Sequence, residues 1–244
     1  MKRWMTIAIV FAAAAARADG LADLRAALTR FPAQSTIRAA VTLEKQHQDD
    51  DSNKPERGKV TFDVEAGAEG LRVTYANDVI ARAQAESRAE EIDPEKPTPT
   101  VTALRSIDAP QIVAVLDGAG ALARQLTNAT LQKDQRIVAA GRPARQLTFA
   151  IQPKLSKADA KHVKSAEMSL VVVADADNVP INAEIRGAVK AKFFLMSFEQ
   201  KFHQSWTFAR AGDRLVAVQH REEQSGSGLG QNFSGWTATA VTLR

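Results

Sequence analysis

Between Lys190 and Phe208 the chain alternates with a period of two. Phe194, Met196, Phe198, Phe202, Trp206 and Phe208 fall on even positions, interrupted by Gln200 and Gln204. Ser197, Glu199, Lys201, His203, Ser205 and Thr207 fall on odd ones. Successive side chains of a strand point to opposite faces, so this stretch predicts a strand with one aromatic face and one polar face. Five of the aromatics (Phe194, Phe198, Phe202, Trp206, Phe208) bury about 150–250 Å² each and together need roughly 800–1,200 Å² of cover. A monomer rarely leaves more than about 300–600 Å² of apolar patch bare. Two coverings remain open: helices packed down as ordinary core, or helices acting as a lid over a cavity that takes an apolar ligand.

The rest of the chain supplies both strands and helices. Asp19 can cap a helix carrying Leu21, Leu24, Leu28 and Phe31, ended by Pro32. Ile37 to Leu43, Val60 to Val64 and Leu71 to Tyr75 alternate as three strands, the first two separated by a polar loop from Gln46 to Glu56. Asn77 to Ile92 reads as a helix with a weak stripe of Val79, Ile80 and Ala83, and Asp93 to Thr100, with three prolines, reads as a linker. Ile112, Val115, Leu116, Ala119, Leu122, Ala123 and Leu126 form a broad helical stripe behind Asp108 and Pro110. Gly118 and Gly120 favour a break into two short helices. Beyond Thr130 come six or seven more strands, with a capping-box helix at Ser156–Asp159 and a glycine-rich turn at Ser225 to Gly230. Short turns between consecutive strands predict an α+β fold: a curved, mostly antiparallel sheet, an incomplete barrel, covered by a few helices. Residues 19–244 are expected to form one domain with a helical insertion and linker around 77–126.

The N-terminus bears on compartment. Lys2 and Arg3 precede an apolar run from Met5 to Ala16, and Ala16-Arg17-Ala18 supplies a small-x-small cleavage pattern. That combination predicts a signal peptide over residues 1–18, cut after Ala18, and a periplasmic protein. No later apolar run reaches the roughly 20 residues of a spanning helix. The formal charge of +4 includes Lys2, Arg3 and Arg17 with no leader acid, so the processed chain carries +1. So small a charge argues against nucleic acid as a partner. The chain has no cysteine, hence no disulfide, no thiolate chemistry and no lipid-modified anchor.

No catalytic set can be assembled from the residues. His47, His162, His203 and His220 show no metal-ligand spacing, and no G-x-S-x-G elbow is present. Asp49, Asp50 and Asp51 are adjacent rather than spaced as calcium ligands, and Asp175-Ala176-Asp177-Asn178 runs straight into a strand as a hairpin turn. The Ser225–Gly230 glycines lack the Lys-Ser/Thr ending of a phosphate loop. The expectation is a non-enzyme with no cofactor and no metal.

The order of elements resembles the bacterial outer-membrane lipoprotein carrier superfamily. Glu69-Gly70-Leu71-Arg72-Val73-Thr74-Tyr75 is similar to that family's strand-entry motif at Gly70, Arg72 and Tyr75, while the family's proline is absent and Val73 stands for its tryptophan. The resemblance implies an exported protein with a helical lid over a hydrophobic cavity. It also implies a role for Arg72 as a lid contact, a solvent-facing strand position being the other reading.

Two functions follow as expectations. One is a periplasmic carrier for a lipid or acyl-bearing ligand, held by Phe194, Met196, Phe198 and Trp206 on the sheet and by Ile112, Val115 and Leu116 on the lid. The other is a cell-envelope protein-interaction module whose sheet is filled by its own helices.

Overall fold

The computed structural model describes residues 19–50, 55–153, 156, 161–193, 196–228 and 231–244. The expected leader and the expected helix at Ser156–Asp159 lie outside the described residues, Ser156 aside.

The first helix, α1 (Gly20–Leu28), is capped by the Asp19 carboxylate, which accepts from the Leu21 N–H at 3.1 Å. It stops before Phe31 because the N–H groups of Arg30 and Phe31 fold back onto Ala27 and Leu28 in tighter turns. Strands β1 (Ile37–Asp49), β2 (Glu56–Gly67) and β3 (Gly70–Thr74) then form a meander. Four helices follow: α2 (Asn77–Ile92), α3 (Pro99–Arg105), α4 (Ala109–Leu116) and α5 (Gly118–Gln125). A single 3₁₀ turn, Leu126–Asn128, leads into the second run of strands. These are β4 (Ala129–Ala139), β5 (Arg142–Ile151), β6 (Val163–Ala174), β7 (Pro180–Phe193), β8 (Met196–Ala211), β9 (Arg214–Gly228) and β10 (Gln231–Leu243).

All ten strands join one antiparallel sheet in the order β3-β2-β1-β10-β9-β8-β7-β6-β5-β4. The chain begins in the middle at β1, builds one edge with β2 and β3, and crosses through α2–α5 to the opposite edge at β4. It then walks back by hairpins until β10 pairs with β1. The sheet is curved but does not close, since β3 and β4 are its two edges. The expected α+β architecture is therefore the observed one.

Register makes the inner face a continuous surface. Val60, Leu43, Thr239, His220, Trp206, Ala183, Val172 and Leu147 are successive cross-strand partners from β2 to β5. Helices α1, α4 and α5 press Leu24, Leu28, Ile112, Val115, Leu116, Ala119 and Leu122 against it in one buried core. At about 25 cal/mol per Å², that apolar burial is the main favourable term of the fold.

Three details of this scaffold differ from what the residue pattern suggests. First, the proline-rich linker is shorter by two residues, because a helix begins at Pro99. Pro99 occupies the first turn of α3, where its missing N–H costs nothing. The Glu86 carboxylate of α2 accepts from the Thr100 and Val101 N–H groups at 2.8 and 3.0 Å. Helix α3 then lies close on β2, because Gly58 has no side chain to hold it off Ala103.

Second, the expected polar loop is shorter, since β1 and β2 keep pairing out to His47 and Glu56. Third, Ser225 to Gly228 are strand, not turn, held between β8 and β10. Their glycines make room for rings: the Phe233 ring lies over Gly226 and the Phe198 ring over Gly228. Phe202 covers Gly187 in the same way, so three aromatics shield three glycines on the far half of the sheet.

Candidate ligand cavity between the helices and the sheet

Helices α4 and α5 meet at Asp117, which ends the first and caps the second by accepting from the Gly120 N–H at 3.0 Å. Helix α5 lies against β8 and β9 through Gly118. A Cβ there would come within 2.8 Å of the Leu215 carbonyl oxygen and 2.9 Å of the Phe208 ring. One residue further along β8, a bulge between Thr207 and Phe208 leaves Val218 of β9 without a cross-strand partner. The bulge resets the parity of β9. Ala217 faces inward before it, and His220 and Glu222 face inward after it.

Between these helices and these strands lies a cavity of about 400 Å³. Val115, Leu122, Trp206 and Phe208 give it apolar walls, and Gln204, His220 and Glu222 line it from the sheet. Asp108 and Arg124, both exposed, stand at its rim. The volume falls in the range of about 300–1,000 Å³ typical of small-molecule sites.

His220 is the unusual residue here. Its imidazole stacks on the Trp206 indole, with ring centroids 5.2 Å apart and 15° between planes. It is 6% exposed, and neither ring nitrogen has a hydrogen-bond partner among the described residues. Burial pushes its pKa down to about 4, so the ring is neutral at ordinary pH. Its cross-strand neighbour Thr239, 2% exposed, also holds its hydroxyl without a partner.

The sequence-derived binding residues divide by position. Val115 and Trp206 meet in the cavity wall. Ile112 and Leu116, each 1% exposed, sit in the core beside it. Phe198 is on the inner face, further along β8 and over Gly228. Phe194 and the Met196 side chain lie outside the described residues. Arg72 is exposed on β3, on the opposite face from Leu71 and Val73, which pack against the core.

His220, Thr239, Glu222 and Gln204 escaped the sequence reading. Gln204 showed only as a break in the aromatic alternation, and the bulge hides the parity of His220. On the outer face, His203 sits 2.6 Å from Glu184 and 3.6 Å from Glu223. Among the described residues no cluster of three or more histidine, cysteine or acidic side chains could hold a metal.

No family model matches the chain, and no curated protein matches it. Among solved structures it is similar to one described as the crystal structure of MucB in complex with MucA(peri). The two are 8% identical over 92% of this chain and 93% of that one, with a TM-score of 0.18. The likeness is weak. Among the described residues, no helix is long and apolar enough to cross a membrane.

Proposed function

We propose that the protein is an exported, periplasmic, non-catalytic binding protein that holds a lipid or acyl-bearing ligand between α4–α5 and the inner face of β8–β9. The observation that carries this reading is the cavity of about 400 Å³ walled by Val115, Leu122, Trp206 and Phe208. A hydrocarbon chain gains about 0.8 kcal/mol per buried CH₂, so a handful of methylenes there supplies useful affinity without a charged anchor. Delipidated protein should take up an apolar fluorescent probe saturably. Absence of uptake would remove the carrier reading.

A second reading, an envelope protein-interaction module, is favoured by the edge strand β4. Among the described residues this eleven-residue strand pairs with β5 alone, and Val138 on it is 74% exposed. Such an edge can accept a further strand from another chain. Native mass spectrometry of protein purified from the periplasm separates the two: added lipid-sized mass supports the carrier, a clean mass with a co-purifying protein supports the module.

A further inference from the structure

The cavity is not uniformly apolar. On its sheet side lies His220, with Thr239 beside it on β10, and the two ring nitrogens and the hydroxyl are buried and without partners among the described residues. Buried polar groups in native proteins are nearly always paired, with protein or with ordered water, so this set leaves hydrogen-bonding capacity for a group beyond the chain's own atoms. His220 and Thr239 lie with Trp206 on one cross-strand row, and of these three Trp206 and His220 line the cavity.

We propose that His220 receives the polar head of the bound lipid, and that this head is uncharged and oxygen-bearing, a hydroxyl or ester such as a monoacylglycerol presents. The proposal deepens the acyl-binding reading and rests on it. A neutral imidazole offers one donor nitrogen and one acceptor nitrogen. A hydroxyl both gives and takes a hydrogen bond, and an ester carbonyl accepts one, so either can satisfy this ring. A carboxylate fits poorly. It finds a single donor on the neutral ring, and it meets the Glu222 carboxylate, two residues along on the same face of β9 and lining the same cavity. Asp108 at the rim adds a second negative charge. Arg124 is the one cation among the lining residues, and it is exposed at the rim, where solvent screens it.

The test compares two ligands of equal chain length, monolauroylglycerol and laurate, by displacement of an apolar probe at neutral pH. The wild type should bind the glycerol ester about tenfold or more tightly than laurate, which is about 1.4 kcal/mol. His220→Phe keeps a ring against Trp206 and removes both nitrogens. It should bring the two affinities within about twofold, with most of the loss falling on the glycerol ester. Equal binding by the wild type, or an undiminished preference in the variant, overturns the head site and leaves the chain-binding cavity standing. Failure of both ligands to bind overturns the cavity reading and the head site together. A measurement on unmutated protein guards against misfolding of the variant. Nitrogen NMR of labelled histidines should show the His220 resonances moving on addition of monolauroylglycerol and not of dodecane, and unmoved resonances would overturn the proposal.

Discussion

The indole of Trp206 lies flat against the imidazole of His220, 5.2 Å away and 15° from parallel. The two are direct cross-strand partners on β8 and β9, and the bulge at Thr207/Phe208 places them face to face on the inner side of the sheet. The stack is part of the cavity wall, so an occupant touches a natural fluorophore and a titratable ring at once.

His220 should give the fold a measurable acid sensitivity. Its folded pKa of about 4 is below its ordinary 6.5, so below the latter the unfolded chain binds a proton that the folded chain refuses. Stability contributed by the neutral ring is therefore complete above about pH 6.5 and declines as pH falls toward 4, by up to roughly 3 kcal/mol. Urea melts of His220→Phe should lose correspondingly less stability than wild type between pH 7 and 4.5. Equal losses in the two proteins would refute this.

Trp206 should report occupancy. Of the three tryptophans, Trp206 lines the cavity, whereas Trp236 is held on the outer side of the sheet with the Arg221 guanidinium 4.5 Å above its ring. An apolar ligand should change the emission of wild type and of Trp236→Phe, and change little in Trp206→Phe. The reverse assignment would place the ligand elsewhere.

Filling the cavity should block it. Ala121 of α5 lines the space and is half-buried. Ala121→Phe adds a ring where there is room for one, so melting should hold or rise while probe affinity falls by about tenfold, or ~1.4 kcal/mol. Unchanged uptake would show that ligands bind outside this chamber.

Gly58 should tolerate no side chain. A Cβ there would sit 2.7 Å from the Ala103 backbone nitrogen and 3.0 Å from its Cα, neither of which can swing aside. Gly58→Ala should cost about 1–3 kcal/mol by lifting α3 from β2. Because α3 is remote from β8 and β9, ligand affinity should be unaffected in the folded fraction.

Arg145 ties the N-terminal helix to the far edge of the sheet. It reaches Asp23 of α1 at 2.7 Å and Asp134 of β4 through two nitrogens at 2.8 and 2.5 Å, with its side chain 18% exposed. The hydrogen bond from Arg145 holds the Asp134 carboxyl below its ordinary pKa. Stability from that pairing is present above the ordinary carboxylate pKa and is lost as pH falls through the depressed one. Arg145→Met should cost about 1–3 kcal/mol at neutral pH and less near pH 3. A deficit that does not shrink on acidification would contradict the ion-pair account.

What residue order determined here is local and periodic. The alternation from Lys190 to Phe208 marks a strand because side-chain direction depends only on backbone geometry. The apolar stripe behind Asp108 marks a helix broken at Gly118 for the same reason. Asn77–Ile92 and most of the strands were legible in that way, and with them the α+β class.

The three-dimensional arrangement decided everything that depends on distant partners. Helix α3 begins at the end of the proline-rich stretch, where Glu86 satisfies the Thr100 and Val101 N–H groups from another helix. Ser225–Gly228 is strand because β8 and β10 hydrogen-bond it on both sides and rings cover its glycines. His220 turns inward because one bulged residue shifts the parity of β9, and a bulge is a property of two paired strands, which neither strand's own residues announce. Whether the aromatic face became core or chamber was likewise settled by packing. Phe208 packs against Gly118 of α5 and yet, with Trp206 two residues away, also borders the cavity.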